Sequence, residues 1–247
     1  KKIFISTLLL AIGLTRDEIA DEFYSSERYT FDPKTEKWKT KFNPENYKAK
    51  NFSEEVIDVK TGEIIIKLGD KITFLNAKKL STDGLNEILV TKESLYGKFL
   101  HRDVKVSDDE EEGTFKIGTE INDTILQQVL AANIKSLQIS ITNSVNKGPY
   151  LLSTLLQEKN NDKSDAITEI YKMLRPGEPP TVEIATKIFN NLFFSSDRYD
   201  LSDVGRVKMN SRLSLECSDK ITILRNEDII SIVHKMLDLR DGKDEVD

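Results

Sequence analysis

The sequence predicts an α+β fold, in which a mainly helical, discontinuous part is interrupted by an inserted α+β module of short strands and helices. Three observations carry that prediction. Apolar residues recur at helical spacing in 1–24 and 144–247, whereas 25–143 mixes polar loops with short β-branched runs. Within the middle stretch, two rounds of strand, helix and strand align with each other, which suggests one compact module built from two related units. The helical stretches also carry their own start and stop signals.

Taken in order, Ile3 to Leu14 is an apolar run behind Lys1 and Lys2. It imitates a signal peptide, but Thr15-Arg16-Asp17-Glu18 offers no small-x-small cleavage site, and the run is shorter than the about 20 apolar residues a membrane span needs. Thr15 with Glu18 instead makes a capping box, opening a helix with Ile19, Ala20 and Phe23 on one face. Two short buried helices are expected here, with a signal segment as the competing reading.

The middle stretch opens with a polar, aromatic-studded segment, Tyr29 to Phe52, with a turn at Asp32-Pro33 and the sole tryptophan, Trp38. Val56-Ile57-Asp58-Val59, the turn Lys60 to Glu63 and Ile64-Ile65-Ile66 read as a hairpin. A short helix over Leu75 to Leu80 and a strand over Glu87 to Val90 follow. The second round comprises Phe115-Lys116-Ile117, a helix from Asn122 to Ala132 and a strand from Leu137 to Ile141. Gly69 matches Gly118, an offset of 49 positions, and Ile72 with Ile121 and Leu80 with Val129 keep the same offset.

Beyond the middle stretch, Ala166, Ile167, Ile170, Tyr171 and Leu174 share a helix face that ends at Arg175-Pro176-Gly177. Thr181 caps the next helix, with Ile184, Ile188, Phe189, Leu192 and Phe193 expected inward. Asn226 is expected to cap a third helix, with Glu227 and Asp228 at its positive end. Ile229, Ile230, Val233, Met236 and Leu237 should form its buried face, with Gly242 past its end.

Composition bounds the function. The chain has 247 residues, 38% hydrophobic and 32% charged, which allows one or two domains and is too apolar for disorder. One cysteine, Cys217, excludes an intramolecular disulfide framework, and two histidines are too few for a zinc ribbon. A net charge of −6 argues against nucleic-acid binding by bulk charge, though not against one locally basic face. Starting with Lys and stopping in a charged run at Asp247, the chain is expected to be a piece cut from a longer polypeptide.

A catalytic constellation is not found. The run Asp108 to Glu112 lacks the spacing of a calcium loop and is expected to be solvated. Asp197, Asp200 and Asp203 suggest a magnesium site by spacing, but Arg198 and Arg206 among them favour local neutralisation or helix capping. His234 is expected to be structural, His101 a strand-end surface residue and Cys217 inert. No phosphate-binding glycine loop or nucleophile elbow occurs. The notable polar groups are arginines. Arg175 precedes a stiff Pro-Gly-Glu-Pro-Pro loop, and Arg198 sits among Phe193, Phe194 and Tyr199. Guanidiniums suit phosphate oxygens and base faces, the competing reading being internal ion pairs to Glu178, Asp197 or Asp200.

Those residues also carry a resemblance. Ala166-Ile167-Thr168-Glu169-Ile170-Tyr171-Lys172-Met173-Leu174-Arg175-Pro176-Gly177-Glu178-Pro179-Pro180-Thr181 resembles the bacterial RNA polymerase β subunit. Asn191 through Arg206 continues it, Asp241 to Asp247 resembles the end of the same region, and Lys147-Gly148-Pro149-Tyr150 fits its start. The likeness is weaker over 1–24 and loose over 25–143.

The resemblance implies that 1–24 and 144–247 form the β lobe, one wall of the cleft holding downstream DNA, with 25–143 a lineage-specific insertion. It implies an enzyme, DNA-directed RNA polymerase, a nucleotidyltransferase, only as the whole complex. This piece would carry no catalytic residues and no cofactor, the Mg2+ being held in the other large subunit. By position, Arg175 and Arg198 match arginines facing the single-stranded non-template strand, and Lys1 and Lys2 the end of a basic run along downstream DNA. Arg206 joins this DNA-binding set, with Lys208 and Arg212 in the same region. Expected partners are DNA, bound weakly by the piece alone, the β′, α and ω subunits, sigma factor and secondary-channel regulators on the insertion, with no membrane. The expected location is the cytoplasm, with the nucleoid. The alternative from another class is a regulator-docking interaction module without a DNA role.

Overall fold

The computed structural model describes residues 2–46, 50–51, 55–67, 69–109, 113–143 and 147–245. Its contacts separate two units, one made of Lys1–Phe23 with Asn143–Asp247 and the other of Tyr24–Thr142.

The chain enters the first unit through α1 (Ile5–Ala11) and α2 (Arg16–Phe23). Leu9, Leu10 and Ala11 are fully buried, as are Ile19 and Ala20 of α2. The Thr15–Glu18 capping box forms: the Thr15 amide donates to Glu18 Oε2 at 2.8 Å, and the Glu18 amide donates to Thr15 Oγ1 at 3.2 Å. Gly13 makes the turn between the helices at a φ of +110°.

In the second unit, β1 (Ser26–Asp32) and β2 (Lys37–Lys41) form a hairpin. The Asp32 carboxylate closes its turn, accepting from the Lys34 amide at 3.0 Å and the Thr35 hydroxyl at 2.9 Å. Then come β3 (Lys50–Asn51), β4 (Val56–Asp58), β5 (Ile64–Ile66), β6 (Lys71–Ile72), α3 (Phe74–Thr82) and β7 (Glu87–Val90). They are followed by β8 (Phe99–Leu100), β9 (Val104–Lys105), β10 (Thr114–Phe115), α4 (Asp123–Ala131) and β11 (Ser136–Ser140). The main sheet runs β5-β4-β7-β2-β1-β11-β8, with every neighbouring pair antiparallel. Trp38, Ile88, Leu100, Ile121, Leu126, Val129 and Leu137 lie in its core.

The two rounds read from the sequence occur in the fold. Helices α3 and α4 begin and end 49 positions apart. Thr73 and Asn122 cap them alike, accepting from the Asn76 and Ile125 amides. Gly69 and Gly118 have φ of +85° and +84°. Leu85 and Ile134 then make the same amide bond, to Leu80 and Val129, each 3.0 Å. Ile88 pairs with Thr40 of β2, and its counterpart Leu137 pairs with Tyr29 of β1. The β1–β2 hairpin thus lends one central strand to each round. One expectation changes: the strand at Phe115 stops before Ile117, whose amide donates instead to Asp103 Oδ1 at 2.7 Å.

Back in the first unit, the chain forms α5 (Tyr150–Gln157), α6 (Lys163–Leu174), α7 (Val182–Phe193), α8 (Ser202–Leu213) and α9 (Asn226–Arg240). Helix α6 packs against both α1 and α7. Ala166, Ile167, Ile170 and Tyr171 are buried as expected, while Leu174, Ile184 and Met236 are exposed, against expectation. Asn226 does not cap α9. Its side-chain Nδ2 donates to the Ile12 carbonyl at 3.1 Å, and the Asp228 carboxylate instead accepts from the Arg225 backbone amide at 2.9 Å. Among the described residues, no helix is long and apolar enough to cross a membrane.

Candidate nucleic-acid interface

Arg198 lies on the connection between α7 and α8. Its backbone amide donates to the Ser195 carbonyl at 3.1 Å, closing a turn. Phe193 packs edge-on against Tyr199 at 6.1 Å and against Phe194 at 6.2 Å, so aromatic contacts hold both flanks of this turn. The guanidinium is exposed and has no ion-pair or hydrogen-bond partner among the described residues. A fixed loop thus presents a free cation.

Arg175 ends α6, and its amide donates to the Tyr171 carbonyl at 2.8 Å. Gly177 adopts a φ of +92°, which lets the Pro-Gly-Glu turn close. The guanidinium is half exposed and reaches Glu178 Oε2 at 3.4 Å, and the Tyr171 hydroxyl donates to the same oxygen at 3.0 Å. Burial together with the Glu178 bond holds the Tyr171 phenol above its usual range. The internal ion pair weighed for Arg175 is therefore present, while Arg198 makes none.

Lys2 is exposed and lines an open concavity of about 450 Å³ with Lys159, Lys172, Thr168, Asp165 and Glu169. Among the described residues no carboxylate pairs with Lys2, Lys159 or Lys172, and Glu169 accepts from the Asn160 amide group instead. Lys1 lies outside the described residues.

Arg206 departs from expectation. It is fully buried, and its Nη1 pairs with Asp228 Oδ2 at 2.9 Å, Asp228 being equally buried. Nε donates to the Ile221 carbonyl at 2.7 Å and Nη2 to the Ile223 carbonyl. A guanidinium with its donors spent inside cannot contact a ligand, so Arg206 leaves the DNA-facing set. The Asp228 carboxyl sits below its usual range: burial alone would raise it, but bonds from Arg225 and Arg206 outweigh that. In the same region Lys208 is exposed, and Arg212 donates to the Glu245 carbonyl.

Other candidates settle into structural roles. His101 is fully buried rather than on the surface, its Nδ1 2.8 Å from Ser140 Oγ. His234 stacks on Phe23 at 4.4 Å and meets Glu22 at 3.0 Å, a carboxylate partner that sequence spacing hides. Cys217 is half-buried. Asp200 accepts from the Ser202 amide at 2.9 Å just ahead of α8. Among the described residues no three His, Cys, Asp or Glu side chains converge on a metal position, and Glu110 to Glu112 lie outside those residues.

Sequence reasoning missed Glu158. Its carboxylate is buried and accepts from Ser6 Oγ at 2.6 Å, Thr7 Oγ1 at 2.8 Å and Asn160 Nδ2 at 2.7 Å. Arg16 adds bonds to the Leu155 and Glu158 carbonyls. These contacts tie α1 and α2 to the end of α5.

Residues 121–247 match the family RNA polymerase Rpb2, domain 2. The match begins inside the second unit and takes in α5 to α9 with the connections that carry Arg175 and Arg198. Relatives named DNA-directed RNA polymerase subunit beta include those of Rickettsia massiliae, Rickettsia conorii and Rickettsia felis, at 42%, 41% and 40% identity over 100% of this chain. The chain spans 18% of the length of these relatives. With half its length matched by the family and all of it by these subunits, the chain belongs to the RNA polymerase Rpb2 domain 2 family and is similar throughout to bacterial RNA polymerase β subunits.

Proposed function

We propose that the chain is the lobe of a bacterial RNA polymerase β subunit, comprising 1–24 and 144–247, with 25–143 as a lineage-specific insertion. The lobe lines the DNA cleft and holds downstream DNA and the separated non-template strand. The observation that supports this best is Arg198, an exposed guanidinium without a partner on a connection braced by aromatic rings. Arg175 is a second contact, weakened by its pairing with Glu178. Lys1 and Lys2 extend the track, Lys2 adding a cation beside Lys159 and Lys172. A few such contacts bind weakly and in a salt-sensitive way, which a net charge of −6 does not oppose.

The whole enzyme, with β′, α, ω and sigma, condenses nucleoside triphosphates on a DNA template by two-metal phosphoryl transfer, its Mg2+ held in the other large subunit. This piece takes no part in the chemistry. It acts in the cytoplasm at the nucleoid, and the insertion is a candidate surface for secondary-channel regulators.

The test is the lifetime of the open promoter complex formed by whole polymerase carrying Arg175→Ala and Arg198→Ala together. A shorter lifetime, with a weaker salt dependence, is expected. An unchanged lifetime across salt concentrations would remove the strand-holding role and leave the docking module without a DNA role in its place.

A further inference from the structure

Residues 221–224 form a strap between α8 and the connection that carries Arg198. On one edge, Arg206 Nε and Nη2 bind the carbonyls of Ile221 and Ile223. On the other, the Thr222 carbonyl accepts from the Leu201 amide at 2.7 Å, and the Leu224 amide donates to the Phe193 carbonyl at 3.0 Å. Phe193 and Leu201 are the two ends of the Arg198 connection. Both are hydrogen-bonded to a strap whose opposite edge is held by a buried guanidinium.

That guanidinium is itself fixed. Asp228 Oδ2 holds Nη1 at 2.9 Å, and Asp228 is anchored by the Arg225 amide and guanidinium, each at 2.9 Å. Three acceptors in three directions, two carbonyls and a carboxylate, suit the planar fork of arginine. A lysine ammonium is a compact point charge without that fork, so it would leave part of the strap untied.

We infer that Arg206 is a positioning residue for the nucleic-acid contact made by Arg198. It touches no DNA; it sets the strap, the strap sets both ends of the connection, and the connection aims the exposed guanidinium. This rests on the DNA-facing reading of Arg198 and adds the residue that gives Arg198 its place.

The test uses whole polymerase with Arg206→Lys, Arg198→Ala, Arg175→Ala and the double variants, reading open-complex lifetime. Hydrogen exchange at the Leu201 and Leu224 amides is read alongside. Arg206→Lys should shorten the lifetime by about fivefold to tenfold, an effect of the size of one or two lost hydrogen bonds. Combined with Arg198→Ala it should add nothing further, whereas combined with Arg175→Ala the two effects should multiply. The Leu201 and Leu224 amides should lose protection in Arg206→Lys.

Should Arg206→Lys fail to assemble, Leu201→Pro removes the Leu201 donor at a φ of −77°, which proline accepts, without touching the buried pair. The same pattern of lifetimes is expected. Multiplying effects of Arg206→Lys and Arg198→Ala, or unchanged exchange at both amides, would overturn the positioning role while leaving Arg198 as a contact. A normal lifetime for Arg198→Ala alone would overturn the DNA-facing reading and the positioning role with it.

Discussion

Arg206 Nη1 and Asp228 Oδ2 meet at 2.9 Å with both side chains fully buried, joining the middle of α8 to the first turn of α9. Arg206 is the buried residue of α8, while Val204 and Val207 of the same helix are exposed. The helix is thus held by polar bonds where a buried apolar face would be usual. Removing one partner from such a pair leaves the other buried without compensation, which costs about 3–5 kcal/mol. Arg206→Ala and Asp228→Ala should each destabilise by about that much, Asp228→Ala the more because it also frees the Arg225 amide at the start of α9. Urea unfolding of the 247-residue chain followed by far-ultraviolet circular dichroism measures both. A loss below about 1 kcal/mol would show that the pair is not carrying α8.

This pair also shows where sequence stops being informative. Local chemistry was legible: the Thr15–Glu18 box, the Thr181 cap and the two related rounds of the second unit all depend on residues a few positions apart or on a repeated pattern. Arg206 in a polar helix and Asp228 in a first turn each resemble ordinary surface charges, and only long-range packing turns them inward. Glu158 is the stronger case, because its hydroxyl donors Ser6 and Thr7 lie more than 150 positions away. Lys37-Trp38-Lys39-Thr40-Lys41 did carry a signal: Trp38 and Thr40 alternate inward along a central strand, within a segment described only as polar and aromatic. The exposure of Leu174, Ile184 and Met236 has no signal in helical spacing, which says that a face exists and not how far it is covered.

Acid should loosen the first unit. Burial would raise the Glu158 carboxyl, but donation from Ser6, Asn160 and Thr7 outweighs it and holds the group below its ordinary 4.5. Asp228 is likewise held below 3.8. A group depressed in the folded state stabilises above its unfolded pKa and loses that contribution as pH falls through the folded value. The melting temperature should therefore hold down to about pH 5 and then fall progressively as both carboxylates take up protons. Glu158→Gln should lower stability at pH 7 by about 1–3 kcal/mol, since one amide oxygen replaces two acceptors. It should also flatten the acid limb. Calorimetry between neutral pH and pH 3 would show both, and an unchanged slope in Glu158→Gln would remove Glu158 as a source of the acid sensitivity.

The two rounds of the second unit should respond alike to the same substitution. Gly69 and Gly118 both hold a φ near +85° ahead of a capped helix. A side chain in that backbone region costs about 1–2 kcal/mol, partly offset by the lower entropy of the unfolded chain. At Gly69 nothing stands within 4 Å of an added Cβ, so the cost there is conformational alone. Gly69→Ala and Gly118→Ala should each destabilise by about 1 kcal/mol. Trp38, fully buried in this unit, supplies the fluorescence readout. A neutral effect at one site and a large one at the other would mean that the rounds are alike in backbone but not in constraint.

Glu178 should act as a brake on Arg175. The two side chains are both about half exposed, and a pair in that setting contributes about 0–1 kcal/mol to stability, so breaking it should leave the fold nearly unchanged. What changes is the electrostatics. If Arg175 faces DNA as proposed, Glu178→Gln removes the carboxylate that would compete with phosphate for its guanidinium, now paired at 3.4 Å, and leaves a polar oxygen for the Tyr171 hydroxyl. Single-stranded DNA binding by whole polymerase should tighten in Glu178→Gln and weaken in Arg175→Ala. For Arg175→Ala the slope of log affinity against log salt should shrink by about 0.7, one single-strand phosphate contact. Arg198, which has no competing carboxylate, should gain nothing from a neutral neighbour: Asp200→Asn should leave binding unchanged, its carboxylate being committed to the Ser202 amide at 2.9 Å. Equal tightening in Glu178→Gln and Asp200→Asn would point to loss of overall negative charge in place of the specific competition at Arg175.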